Sequence, residues 1–295
     1  MKRIALFIML VAVLATVAGA ESVKKKTIKS VNPQQQQQQV TNVQLSDFDN
    51  AINAFFNDDY NTAFNSINKH LKKNPNDPFA WTCLAAIQGD CDNDAEALKA
   101  INKARSCPIT KNDPSLLNWM YFTQSSVDLQ LQDTTNAIND LKKAIECVPS
   151  DVDSYMRLGN IYKRQKEYDL AMVNYGMAVQ YNPKEVEGYL GLGTVAGSSG
   201  KRKDAIKAYT MAIKLEPDVA ESYALRAVEY FNDWDYKNAA KDVISALELD
   251  RENARALWIL EYLKQGPDAA QDLQKEFKNK AKKSKDNTWL NFIVE

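Results

Sequence analysis

From about Val43 to Lys283, large apolar residues return every three or four positions, with polar and charged residues between them. Tyr155, Leu158 and Tyr162 fall on one face of a helix, and Ala171, Tyr175 and Ala178 on one face of a second, because 3.6 residues complete a turn. Pro183 follows the second set and stops it, since proline has no amide proton and restrains the residue before it. The predicted unit is two amphipathic helices joined by a turn.

The unit repeats. Tyr155, Leu158, Gly159, Ala171, Tyr175, Ala178 and Pro183 recur 34 residues later as Tyr189, Leu192, Gly193, Ala205, Tyr209, Ala212 and Pro217. The frame steps back through Tyr121, Ala137, Leu141, Ala144 and Pro149. A longer step of 40 then reaches Trp81, Leu84, Ala97, Ile101 and Ala104, and one more step of 34 reaches Ala51, Ala63, Ile67 and Pro75. Forward it gives Tyr223, Ala227, Tyr230, Ala239, Val243 and Ala246, and a degenerate unit opens at Ala254. Six units and a partial seventh result. The small residues stand where backbones must approach closely, and the tyrosines and leucines fill the wedge between helices.

This pattern resembles the tetratricopeptide repeat, a helix-turn-helix unit of 34 residues. The resemblance implies an all-α fold, a right-handed superhelical solenoid of stacked helix pairs over residues 44–283. No pair can cover its own apolar face, so stability passes from neighbour to neighbour. The six extra residues of the long step, around Cys107–Pro108 and Asp113–Pro114, predict a longer connection. Ala270, Leu273, Phe277 and Ala281 predict a terminal helix with lysines on its other faces.

Outside the array the pattern changes. Lys2 and Arg3 precede an apolar run from Ile4 to Val17 and the small residues Ala18-Gly19-Ala20, so residues 1–20 read as a cleaved signal peptide and the protein as exported, periplasmic or extracellular, or in a secretory lumen. Residues 21–43, with Lys24-Lys25-Lys26, Pro33 and the run Gln34 to Gln39, cannot bury a core and read as a tether. Residues 284–295 form an apolar tail, with Trp289, Leu290, Phe292, Ile293 and Val294 available to cap the last repeat or to lie in a groove.

Charge and composition then narrow the chemistry. Lys and Arg number 37 against 38 Asp and Glu, so there is no electrostatic footprint for nucleic acid. A single histidine, His70, rules out a multi-histidine metal site and is expected to pack structurally on the second helix of the first unit. No nucleophile, phosphate-loop or zinc motif occurs, and Asp58-Asp59 and Asp90 to Asp94 fall at turns between paired helices, where they read as caps. A non-enzyme with no metal and no cofactor is expected. Of the four cysteines, only Cys83 with Cys107 remains open as a disulfide. Cys91 and Cys107 lie at opposite ends of a helix, and Cys107 and Cys147 occupy the same place in successive repeats.

In the family that the repeat resembles, the first helix of each unit lines a concave groove that takes extended or helical peptides. Transferred by position, the groove consists of Phe48, Ile52, Phe55, Phe79, Trp119, Phe122 and Leu129, which make its N-terminal half aromatic. Met156, Asn160, Lys163, Glu187 and Leu190 follow, and then Phe231, Trp258 and Tyr262. Thr82 and Ala224 belong to the same set. The carboxylate-clamp branch needs Lys and Asn where Phe48 and Ile52 stand, so a chaperone-tail receptor is not expected. The leading reading is a module that binds a peptide or protein partner during envelope or secretory assembly, not spanning a membrane, with self-association open. The alternative is a small-solute or glycan receptor that stacks ligand rings on Trp119, Trp258 and Tyr262.

Overall fold

The computed structural model describes residues 46–107 and 113–282, which form fourteen α-helices and, among the described residues, no strand. The expected signal peptide, tether and apolar tail lie outside the described residues, as do residues 108–112 of the long connection. The chain divides after Pro149 into two compact units. Unit 1 contains α1 (Asp47–Phe56), α2 (Tyr60–Lys73), α3 (Pro78–Asp90), α4 (Asp94–Ser106), α5 (Pro114–Gln130) and α6 (Thr134–Cys147). Unit 2 contains α7 (Val152–Arg164), α8 (Tyr168–Tyr181), α9 (Val186–Ser198), α10 (Arg202–Leu215), α11 (Ala220–Asn232), α12 (Tyr236–Leu249), α13 (Ala254–Gln265) and α14 (Pro267–Ala281). Within each unit the helices pair in sequence, and the second helix of a pair packs on the first helix of the next. The fold is an all-α helical-repeat solenoid.

One turn recurs six times. Asp58, Asp92, Gln132, Lys166, Gly200 and Trp234 all have φ between 59° and 73°, the left-handed region. The next residue's amide reaches back five positions, Asp59 to Ala54 through Asp235 to Tyr230, at 2.8–2.9 Å. This bond satisfies a carbonyl that the helix end leaves orphaned, and it reverses the chain so that the second helix can lie on the first. Acidic residues then start the second helix: Asp59, Asp133 and Asp235 accept from the amides of Thr62, Asn136 and Asn238. The last pair departs from the rule, because Gly266 alone joins α13 to α14, with Pro267 in the first helical turn.

Packing follows the small-and-large alternation. The Tyr175 ring is wedged between α7 and α9, where a Cβ built on Gly159 or Gly191 would come within 2.8 Å or 2.6 Å of it. Gly193 receives Tyr209 in the same way. Unit 1 centres on Ile67, Cys83, Ile87, Ile101, Leu116 and Met120, and the last two pairs of unit 2 on Val243, Leu247, Ile259 and Leu263. On α14 the buried residues are Ala269 and Leu273, with Phe277 and Ala281 partly buried, so the apolar face begins one position earlier than Ala270.

Five residues expected in the groove are core instead. Ile52 and Phe55 lie with Ala51 on the buried side of α1, and the Phe55 ring meets Tyr60 edge-on at 6.0 Å. Trp119 is buried with Leu116 and Met120, because α5 has 17 residues against 13 in α3 and its added first turn brings Leu116 into the same cluster. Thr82 and Ala224 are fully buried as well. All four cysteines are free thiols, so Cys83 and Cys107 are not joined. Burial pushes the Cys83 thiol up to about 12, which makes it inert at neutral pH.

Candidate partner-binding face

The face presented by the first helices differs between the units. In unit 1 it is nearly closed: Phe48, Phe79, Phe122 and Leu129 show only part of their surface. Phe48 leans on the His70 ring with centroids 5.3 Å apart, and His70 Nε2 lies 2.8 Å from Asp77 Oδ2. The other oxygen of Asp77 caps α3 by accepting from Phe79 and Ala80, so the lone histidine braces a helix start and serves packing.

In unit 2 the face is open and carries two kinds of group. Over α7 and α9 it is polar. Exposed Asn160 accepts the Tyr175 hydroxyl at 2.8 Å, while the partly buried Lys163 ammonium lies 6.0 Å from the centre of the same ring. The contact repeats one unit later, where Tyr209 OH lies 3.3 Å from Thr194 Oγ1. Met156 and Leu190 are half-buried beside them, and Glu187 is exposed. Partial desolvation and then Glu185 push the Glu187 carboxyl up. Burial, followed by the charges of Asp151 and Glu185, pushes Asp153 up to about 6. Such a concentration of carboxylates favours a cationic group opposite.

Over α11 and α13 the face is aromatic. Phe231 meets Tyr262 at 6.1 Å, and Tyr262 meets Trp258 at 4.7 Å. Phe231 also meets Tyr236, whose ring meets Trp234 edge-on. Trp258 and Tyr262 are 52% and 48% exposed, although an aromatic side chain is among the most strongly driven to leave water. On the first-helix face the exposed rings thus lie in the C-terminal unit, contrary to the expectation that the N-terminal half would present them. The physical reason is coverage: in unit 1 the large rings of α1 and α5 serve the core.

Sequence reasoning missed two features of this unit. Trp234 is 78% exposed and holds the left-handed position that glycine holds at Gly200, so its ring extends the aromatic patch at some backbone cost. The repeat frame carried the signal, a bulky residue at a place requiring positive φ. The second is Arg226, which takes the place of Leu158 and Leu192 and forks onto the buried Asp242 at 2.7 and 2.8 Å. This ion pair is enclosed between Tyr223 and Tyr230 and belongs to the packing.

Comparison with known proteins agrees with this architecture. Family models described as TPR repeat and tetratricopeptide repeat match residues 126–166, 152–185 and 190–254. Among solved structures, the C-terminal part of a TPR repeat-containing protein from Cytophaga hutchinsonii superposes with a TM-score of 0.63 at 16% identity, covering 84% of this chain and 99% of that one. YrrB, described as a TPR protein with an unusual peptide-binding site, superposes at 0.55 with 17% identity over 66% of this chain and 97% of its own. MamA from Desulfovibrio magneticus gives 0.52 at 20% identity, covering 60% of this chain and 96% of that one. At these identities the likeness is one of fold. No curated protein sequence matches the chain.

Proposed function

We propose that this chain, which belongs to the tetratricopeptide repeat family, binds an extended peptide segment of a partner protein on the first-helix face of its C-terminal unit. The family supports a protein-interaction module and is generally a non-catalytic scaffold. The observation that carries the finer reading is the contiguous ring cluster of partly buried Phe231 with half-exposed Trp258 and Tyr262, on a rigid helical framework. Aromatic side chains at the centre of an interface supply most of its affinity. The polar stretch over α7 and α9, with Asn160, Lys163 and Glu187, supplies hydrogen bonds and charge that set direction and sequence preference. The carboxylates Asp153, Glu185 and Glu187 favour a basic residue in that part of the ligand.

The sequence of residues 1–20 supports export, with the module working outside the cytoplasm in envelope or secretory assembly. N-terminal sequencing of the protein from its native source tests that part, and a chain still beginning at Met1 would refute it. For the binding face, selection from a display library of random linear peptides is expected to enrich apolar-aromatic sequences carrying a basic residue. Trp258→Ala with Tyr262→Ala should abolish the enrichment while leaving the helical signal intact, since both rings are half in solvent. Unchanged enrichment would refute the assignment. Selection from a glycan array by the unaltered protein and not by the variant would favour a sugar ligand stacked on the same rings.

A further inference from the structure

The last helix pair is built differently from the others, and the difference opens a groove. Earlier in unit 2, α8 packs on α7 and α9, and α10 packs on α9 and α11, so a first helix stands between successive second helices. In the last pair α14 packs chiefly on α12 and less on its own partner α13. Gly266 alone links α13 to α14, and the left-handed turn that lays the other second helices on their first helices is missing there. Two second helices therefore lie side by side, with Leu273 buried and Phe277 partly buried between α14 and the core.

A cavity of about 550 Å³ lies between α12 and α14, lined by Lys237, Asn238 and Lys241 from the first and Glu276, Asn279 and Lys282 from the second. A smaller cavity of about 200 Å³ shares Lys241, Glu276 and Asn279 with it and adds Ile244, Ser245 and Lys280. Charge is unbalanced along this groove. Lys280 pairs with Glu248. Asp235, at the start of α12, accepts from the amide and the side chain of Asn238. Lys237, Lys241 and Lys282 make no ion pair among the described residues. Half-buried Glu276 is the carboxylate that lines both cavities.

We propose that this groove binds a phosphate monoester or free phosphate, at a site on the second helices that is separate from the aromatic first-helix face. Three ammonium groups against one carboxylate leave two positive charges, which match the roughly −1.5 to −2 of a phosphate monoester at neutral pH. All the cations are lysines, compact point charges suited to a phosphoryl group, whereas planar carboxylates are gripped best by the arginine fork. Asn279 and Ser245 add neutral hydrogen-bonding groups beside them. The volume falls within the roughly 300–1,000 Å³ of small-molecule sites.

Calorimetric titration of the full chain with inorganic phosphate, glycerol 3-phosphate and a glutamate-rich peptide tests the proposal. Saturable one-to-one binding of at least one phosphate probe is expected. Lys237→Gln with Lys241→Gln should weaken it about 10-fold or more, and both side chains are exposed, so the helical signal should be kept. Glu276→Gln should tighten it about fivefold by removing the repelling charge. Lys207→Gln on α10, outside the groove, should change nothing. Glycerol 3-phosphate binding more tightly than inorganic phosphate would assign an ester-bearing ligand, and equal affinities would assign free phosphate. Three results would overturn the proposal: no saturable binding of either phosphate probe, a loss as large in Lys207→Gln as in the groove variant, or tighter binding of the acidic peptide than of both phosphates.

Discussion

Replacing Gly191 by alanine puts the wedge packing to a quantitative test, because it sets two known effects against each other. Gly191 stands inside α9, where alanine is favoured over glycine by about 1 kcal/mol. Its new Cβ would lie 2.6 to 2.8 Å from three ring carbons of Tyr175, closer than packed carbons tolerate. The ring cannot swing aside, since it is 1% exposed and its hydroxyl is held by Asn160. Overpacking of this kind costs about 1–3 kcal/mol. Gly191→Ala should therefore leave stability unchanged or lower it by up to about 2 kcal/mol. Tyr175→Ala should cost about 3–5 kcal/mol, the range for emptying a large aromatic site. Once the ring is gone, the same Gly191→Ala should stabilise by about 1 kcal/mol, so the pair couples by about 1–3 kcal/mol. Urea melts of the four proteins followed by far-UV circular dichroism, fitted to a nearest-neighbour repeat model, would measure it. An identical effect of Gly191→Ala in both backgrounds, within about 0.5 kcal/mol, would refute the wedge.

Other expectations concern charge and backbone. The Asp128 carboxyl is 6% exposed, has one oxygen without a hydrogen-bond partner, and is pushed up to about 6 by burial and then by Asp140 and Asp133. The fold thus holds its proton more tightly than the unfolded chain, so its contribution is full below pH about 4 and is lost as pH rises through about 6, a change of about 2–3 kcal/mol. Asp128→Asn should flatten this part of the pH–stability curve and raise the urea midpoint at pH 7. Lys166→Gly should stabilise by up to about 1 kcal/mol and Gly200→Ala should destabilise by about as much, because both residues hold φ above 60°. A thermal-melt series showing the opposite order would contradict the turn assignment. Arg226→Ala should cost about 3–5 kcal/mol by stranding Asp242, whereas Arg226→Leu with Asp242→Leu should cost much less, as denaturant melts would show.

Much of this molecule was legible residue by residue. The period of 34 residues reports on Gly159, Tyr175, Ala178 and their copies because each meets the same neighbours in every pair, and local spacing therefore encodes packing. The clustered acids Asp58-Asp59 and Asp90 to Asp94 marked turns for a similarly local reason. The exposure of the first-helix face was legible only in part. Asn160, Glu187, Trp258 and Tyr262 are exposed where the frame placed them, yet Ile52, Phe55 and Trp119 are core. Position within a repeat fixes which helix face a residue occupies, but not whether another element covers that face.

The amino-acid sequence alone determined the helix pairs, their number, their turns and the residues that wedge them, all of which depend on contacts a few residues or one repeat apart. Only the tertiary structure decided which aromatic rings remain in water. Exposure at Trp258 and Tyr262, enclosure at Phe55 and Trp119, and the half-covered state of Phe277 depend on how many helices close over each position. A tyrosine or tryptophan at the right spacing reads the same whether it anchors a core or waits for a partner, because the hydrophobic effect acts on area removed from water and not on sequence.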